Sequence, residues 1–271
     1  MGLLDLTRRR PPASKPASKL STRPIRVSST REQAAKYFAE LPRLPALGGA
    51  PLVITVFGKG GTGKSTTATA IAAIAGRLGH TVWLLDGDPQ GSALVWGALR
   101  PTDDVEVHRC PAPQIQAALA AARKHSVDLV VVDNAPVQHQ HALGVAAAAD
   151  LVLLTCGASF FDLLETRRWV KFFQTINVQP HVILSLAPPR RLNVDGPLAQ
   201  DARQELLKIL AGHSVRLWTG QITRRNGVVE AVAAGLSTPE REILPARPPQ
   251  SFGICGATSS IARKLFGHEE N

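Results

Sequence analysis

Hydrophobic and polar positions follow two regimes along the chain, and the texture changes at residue 51. From there on, apolar runs of strand length alternate with helix-length segments. Strands are expected over 51–57, 81–85, 105–110, 127–132, 150–156, 181–186 and 215–222. Helices are expected over 65–78, 91–99, 113–125, 139–148, 161–175 and 198–210, with the remainder mostly helical. Gly79 closes the first helix, as a left-handed stop does. Leu129-Val130-Val131-Val132 is apolar on both alternating faces, the signature of a strand covered on both sides. Regular βα alternation predicts an α/β fold: a doubly wound, mostly parallel sheet with helices on both faces. No internal repeat interrupts it, so 51–271 reads as one domain.

Residues 1–50 lack this rhythm. They are rich in Pro and Ser and carry ten Lys/Arg against three Asp/Glu. Apolar surface there is too sparse to offset chain entropy, so a basic, largely disordered N-terminal tail is expected. A short helix could form over 31–41 before Pro42 and Pro45 stop it. The whole chain has a formal net charge of +10, which favours an anionic partner such as nucleic acid, a membrane surface or an acidic protein. No stretch nears 18 consecutive apolar residues, so no membrane-spanning helix is expected. Arg8-Arg9-Arg10 is not followed by an apolar core, and Leu6 breaks the myristoylation pattern, so neither a secretory leader nor that anchor is expected. Cys110, Cys156 and Cys255 are widely spaced, which fits a reducing compartment and gives neither a disulfide framework nor a metal-ligand spacing.

One segment carries specific chemistry. Gly58, Gly63, Lys64 and Ser65 satisfy the phosphate-loop spacing, after a strand and before a helix. Over Gly58, Lys59, Gly60, Gly61, Thr62, Gly63, Lys64, Ser65 and Thr66, glycines let backbone N–H groups curl toward phosphate oxygens. The following helix turns its positive end to the same charge. Lys64 is expected at the β- and γ-phosphates and Ser65 on Mg²⁺. The fold is therefore expected to be that of a P-loop NTPase. Two acidic segments end later strands. Asp86-Gly87-Asp88-Pro89-Gln90-Gly91 follows the second, and Asp133 ends the run from Asp128, where a Mg²⁺-supporting carboxylate belongs.

Lys59 adds a second lysine to the loop. With it, Lys-Gly-Gly-Thr-Gly-Lys-Ser-Thr resembles the deviant phosphate loop of the ParA/MinD ATPases, and the Asp86–Gly91 hexapeptide resembles that family's first switch. The likeness runs over about 51–267 and leans toward the plasmid- and chromosome-partition branch. It implies ATP and Mg²⁺ as cofactors and a homodimer that sandwiches ATP, with Lys59 reaching the partner's nucleotide. It also implies that Asp88 positions the attacking water and that Asp86 supports the magnesium shell or the switch. Lys59, Lys64 and Asp88 are then the expected catalytic set, with Ser65, Asp133 and Asp86 on the metal side. The family places an adenine-recognising Asn before a Pro-Pro segment. Here Ser185 precedes Pro188-Pro189, so Ser185 and Pro189 are the expected base contacts. Asn134, after Asp133, also departs from the usual pattern.

Partners implied by the resemblance are double-stranded DNA, bound without sequence preference, and a centromere-binding ParB-like adaptor that stimulates hydrolysis. Candidate DNA contacts are Arg190, Arg191, Arg224, Arg225, Arg263 and Lys264, with Arg167, Arg168 and Lys171 weaker. Aromatic residues make up 5% of the chain, too few for base stacking along a single strand. The expected role is cytoplasmic and nucleoid-associated: ATP-driven partition of a DNA cargo. Alternatives are a MinD-like membrane-associated positioning ATPase and the positioning of a protein cargo. A metabolite kinase or ligase on the same fold would need a phosphoryl-acceptor site, and no motif for one is found.

Overall fold

The computed structural model describes residues 50–135, 139–188, 195–218, 220–237 and 240. Strands are β1 (Leu52–Gly58), β2 (Val82–Asp86), β3 (Glu106–Arg109), β4 (Leu129–Asp133), β5 (Leu151–Cys156), β6 (His181–Leu184) and β7 (Arg216–Leu217). Helices are α1 (Lys64–Arg77), α2 (Ser92–Leu99), α3 (Ile115–Lys124), α4 (His139–Ala147), α5 (Phe160–Thr175), α6 (Pro197–Leu210) and α7 (Asn226–Ala233).

The strands form one sheet in the order β3-β2-β4-β1-β5-β6-β7, and every pairing is parallel. The expectation of a mostly parallel, doubly wound sheet therefore holds and tightens to all-parallel. Period-two alternation sorts the strands onto two cores. Val53, Phe57, Val130, Val132, Val152 and Leu154 face α3, α4, α5 and α6. Ile54, Val56, Leu129, Val131, Val82 and Leu84 face α1 and α2, with Val232 of α7 packed against them. On the first side, α5 buries Trp169, Val170 and Phe173, and the Trp169 and Phe173 rings lie 5.3 and 5.4 Å from that of Phe57.

Two elements differ from the sequence reading. The helix expected over 113–125 opens as a 3₁₀ turn, Ala112–Gln114, and becomes α-helical at Ile115. Pro113 is tolerated in that first turn, where it lacks only an orphan donor. The strand expected over 215–222 pairs at Arg216 and Leu217 alone, with a parallel bridge further on between Ala187 and Thr223. Gly220 sits against the Trp218 indole, so the chain bends where the apolar run predicted continuity. The tail over 1–49 and the segment 241–271 lie outside the described residues, as do Pro189, Arg190, Arg191, Arg263 and Lys264. Among the described residues, no helix is long and apolar enough to cross a membrane.

Candidate functional site

Strand order places the chemistry. β1 lies in the middle of the sheet, between β4 and β5, and the loop Lys59–Gly63 leaves its carboxyl end. In register, Val56 of β1 pairs with Asp133 of β4, and Asp133 pairs with Asp86 of β2. Two carboxylates and the loop thus converge on one edge, the ligand edge of an open parallel sheet.

The loop is held from outside. Gly63, at φ 84°, is the left-handed N-cap of α1, a conformation that favours glycine. The Thr62 hydroxyl donates to the Lys59 carbonyl at 2.8 Å and shares a 2.8 Å hydrogen bond with the Thr155 hydroxyl. Ser185 donates to the Thr62 carbonyl at 2.6 Å. A Cβ at Gly58 would collide with Thr155 and Thr62. The loop is thus braced by Thr155 of β5 and by Ser185 in the loop after β6.

Lys64 is buried, and its ammonium donates to the Lys59 carbonyl at 3.3 Å. Burial lowers its pKa, against the opposing pull of Asp133 and Asp88. Asp133 is fully buried, and neither carboxylate oxygen has a hydrogen-bond partner. Burial raises its pKa to about 7, and the negative charges of Asp86 and Asp88 add to that shift. The Ser65 hydroxyl and Lys64 pull the other way, with Ser65 short of a well-formed hydrogen bond. An orphaned buried carboxylate is costly unless something completes it. With a hydroxyl and a buried lysine beside it, the donor set fits Mg²⁺, which retains waters and phosphate oxygens rather than needing an all-protein cage. Among the described residues, no group of three or more His, Cys, Asp or Glu could hold a metal by itself. Magnesium here would be held by Ser65, Asp133 and the phosphates.

Asp86 is differently employed. One of its oxygens accepts from Asp88 N at 3.0 Å and the other from Leu94 N at 3.0 Å. Both bonds tie the turn after β2 to the first turn of α2, so Asp86 shapes the Gly87–Gly91 segment. Asp88 is 8% exposed; its carboxylate accepts from Gln90 N at 2.9 Å, and Arg109 clamps its backbone carbonyl at 2.6 Å. Asn134, the departure in the motif after Asp133, donates to the Thr55 hydroxyl at 2.6 Å and the Val56 carbonyl at 3.0 Å. It fastens β4 to β1 immediately below the loop.

Lys59 lies at the rim, with its side chain 43% exposed. It donates to Asp162 of α5 at 2.9 Å and stands 6.0 Å from the Phe161 ring centroid. Ser159 also donates to Asp162, at 2.6 Å. These bonds hold the Asp162 carboxyl below its ordinary range, despite its partial burial. Asp162 was missed as a site residue, although the Ser-x-x-Asp spacing at the start of a helix marks a cap.

Beside the loop opens a cavity of about 450 Å³, lined by Gly61, Gly63, Thr66 and Leu186 and by residues before and along α7. Arg224 and Arg225 line it too, which sets these two candidate DNA contacts beside the phosphate loop. Leu186 adopts φ 53°, uncommon for a branched residue and a mark of a constrained position. The Ser185 hydroxyl is committed to the loop, which it braces from behind through the Thr62 carbonyl. On α5, Arg168 pairs with Glu165 at 3.1 Å, while Arg167 and Lys171 are exposed.

An all-parallel sheet with a glycine-rich loop at its central strand, a buried lysine and a strand-end carboxylate defines a P-loop nucleotide-binding protein. A family model described as the CobQ/CobB/MinD/ParA nucleotide binding domain matches residues 53–238. The chain belongs to that family, and the ParA/MinD resemblance read from its motifs holds.

Two curated proteins are similar over part of their length. Maintenance of carboxysome distribution protein A of Gloeobacter kilaueensis is 39% identical over 117 residues, 42% of this chain and 52% of that protein. The chromosome-partitioning ATPase Soj of Thermus thermophilus is 32% identical over 136 residues, 39% of this chain and 54% of that protein. The chain thus spans about half the length of the curated relatives it matches. Among solved structures, MinD of Aquifex aeolicus aligns with TM-score 0.56 at 17% identity, covering 81% of this chain and 99% of that one. An ATP complex of a McdA variant from Cyanothece aligns with TM-score 0.57 at 13% identity, covering 83% and 99%. At such identities the structural likenesses speak for the fold.

Proposed function

We propose that the protein is a Mg²⁺-dependent ATPase that dimerises around ATP, binds DNA without sequence preference and positions a cargo. The observation that carries this reading is the pair of lysines in one phosphate loop. Lys64 is buried inside the cradle, and Lys59 stands exposed at its rim. In this reading Lys64 neutralises the β- and γ-phosphates, and Ser65 and Asp133 hold the metal, which offsets charge on the phosphates when bound. Gly58, Gly60, Gly61, Thr62, Gly63 and Thr66 line the phosphate path, and the cavity beside Leu186 takes the base. Asp88, oriented by Gln90 N–H, accepts a proton or hydrogen bond from the attacking water. Lys59 leaves Asp162 to reach the partner's nucleotide.

Support for positioning comes from the relatives, one named for chromosome partitioning and one for carboxysome distribution. The formal net charge of +10 supports a polyanionic track, and hydrolysis would be stimulated by an adaptor. The expected place of action is the nucleoid of the cytoplasm. Protein cargo is a second reading, favoured by the carboxysome match.

The test is DNA binding by the full chain with ATP, ADP or no nucleotide over a salt series. ATP-dependent binding that weakens steeply with salt supports the proposal. Equal binding in all three nucleotide states overturns the switch.

A further inference from the structure

We infer that Phe160 and Phe161, in the first turn of α5, are the apolar anchor of an interface with a second copy of this chain. The inference rests on the nucleotide-dependent dimer proposed above and names the surface that forms it.

Phe160 and Phe161 are 71% and 68% exposed. The same helix buries Trp169, Val170 and Phe173 against the sheet, so its packing onto the fold is already provided for further along. The two rings meet edge-on at 5.6 Å, and Leu164, 38% exposed, extends the patch by one turn. Contiguous exposed aromatic surface is uncommon on a monomer, and aromatic residues are enriched at interface cores.

Position and charge select the occupant. Phe161 lies 6.0 Å from the Lys59 ammonium, and Asp162 is bonded to that ammonium at 2.9 Å. The patch therefore abuts the rim of the phosphate loop, on the edge where the nucleotide would bind. It carries both charge signs side by side, with apolar rings around them. A two-fold interface sets one patch against its own copy, so it must be self-complementary. Two exposed Phe rings beside a lysine and an acid meet that condition, because each copy offers the other a ring for its ring, a lysine for its nucleotide and an acid for a cation. Once Lys59 turns toward a nucleotide, Asp162 is left for a cation of the second copy.

The experiment is sedimentation of the full chain over a concentration series with Mg²⁺ and a non-hydrolysable ATP analogue. Wild type, Phe160→Ser/Phe161→Ser and the milder Phe160→Ala are compared. Binding of a fluorescent ATP analogue at low protein concentration is measured on each. Phe161 reaches only Lys59, the rim lysine that this reading turns toward the partner's nucleotide and not toward its own. Nucleotide binding by the monomer should therefore stay within about twofold of wild type, showing that the variants fold. Dimerisation of the double variant should weaken at least about thirtyfold, the loss of one interface hot spot, with Phe160→Ala intermediate. A double variant that dimerises as wild type does overturns the inference and leaves the dimer standing. A wild type that binds nucleotide and stays monomeric overturns the dimer itself, and this inference with it.

Discussion

Asp133 concentrates the tension of the site in one residue. Its carboxyl is fully buried without a hydrogen-bond partner, and its pKa is raised to about 7 from an ordinary 3.8. The unfolded chain releases that proton near pH 4, and the folded chain keeps it to about pH 7. Folding therefore loses stability as pH rises through that window, by up to a few kcal/mol. In EDTA without nucleotide, thermal unfolding should show wild type losing ground to Asp133→Asn between pH 5 and pH 8. With Mg²⁺ and ATP the order should reverse, since the amide supplies no charge to the metal. Lys64→Ala should abolish nucleotide binding by calorimetry. Asp88→Ala should bind ATP yet release phosphate at least tenfold more slowly, and a normal rate would remove Asp88 from the water-positioning role. These residues were legible in the sequence because the phosphate loop and the strand-end carboxylates are contiguous signals. Asp162 was not, because it meets Lys59 across 103 residues, and no local spacing encodes that contact.

At the scale of elements, the strands on both sides of β1 were readable from apolar runs alone, since a strand buried on both faces needs no partner to declare itself. The short edge strand β7 was misjudged, because an edge position relaxes the demand for a continuous run and Trp218 is 48% exposed. Least legible of all was the junction between α1, α2 and the end of α7. Arg100 of the α2 C-cap bonds Glu240 at 2.8 Å and Asp104 at 2.7 Å, with Arg77 of α1 on Glu240 at 2.9 Å. The side chains of Arg100 and Glu240 are each 1% exposed. These arginine bonds hold Glu240 below its ordinary pKa despite burial, so its contribution is present above about pH 4.5 and lost as acid passes the lowered value. Removing Glu240 leaves the buried Arg100 with Asp104 as one acid where it had two, so Glu240→Ala should cost about 1.5–3 kcal/mol in denaturant unfolding. Nucleotide binding at low temperature should survive, since Glu240 lies among α1, α2 and α7 and makes no bond to the cradle.

For the whole molecule, the doubly wound sheet was the most secure reading of the sequence, and the two cores explain why. Each interior strand must serve helices on both sides, so its apolar run is plain, whereas the edge strands β3 and β7 carry Glu106, Arg109 and Arg216. The balance of charge belongs to this scale as well. Of the 31 Lys and Arg, ten fall in residues 1–50, so removing that segment should reduce the salt slope of DNA binding while leaving its ATP dependence in place. Loss of both would assign the contact to the segment itself. The clasp around Glu240 has a further consequence, for where the chain can be cut. A polypeptide ended at Ser237 would still contain every phosphate-loop residue, yet would leave the buried Arg100 with Asp104 alone where it had two acids. One ended just beyond Glu240 keeps the pair. Of two polypeptides shortened from the carboxyl end, the one that keeps Glu240 should therefore unfold at the higher denaturant concentration, by a difference set at a clasp that makes no bond to the phosphate loop.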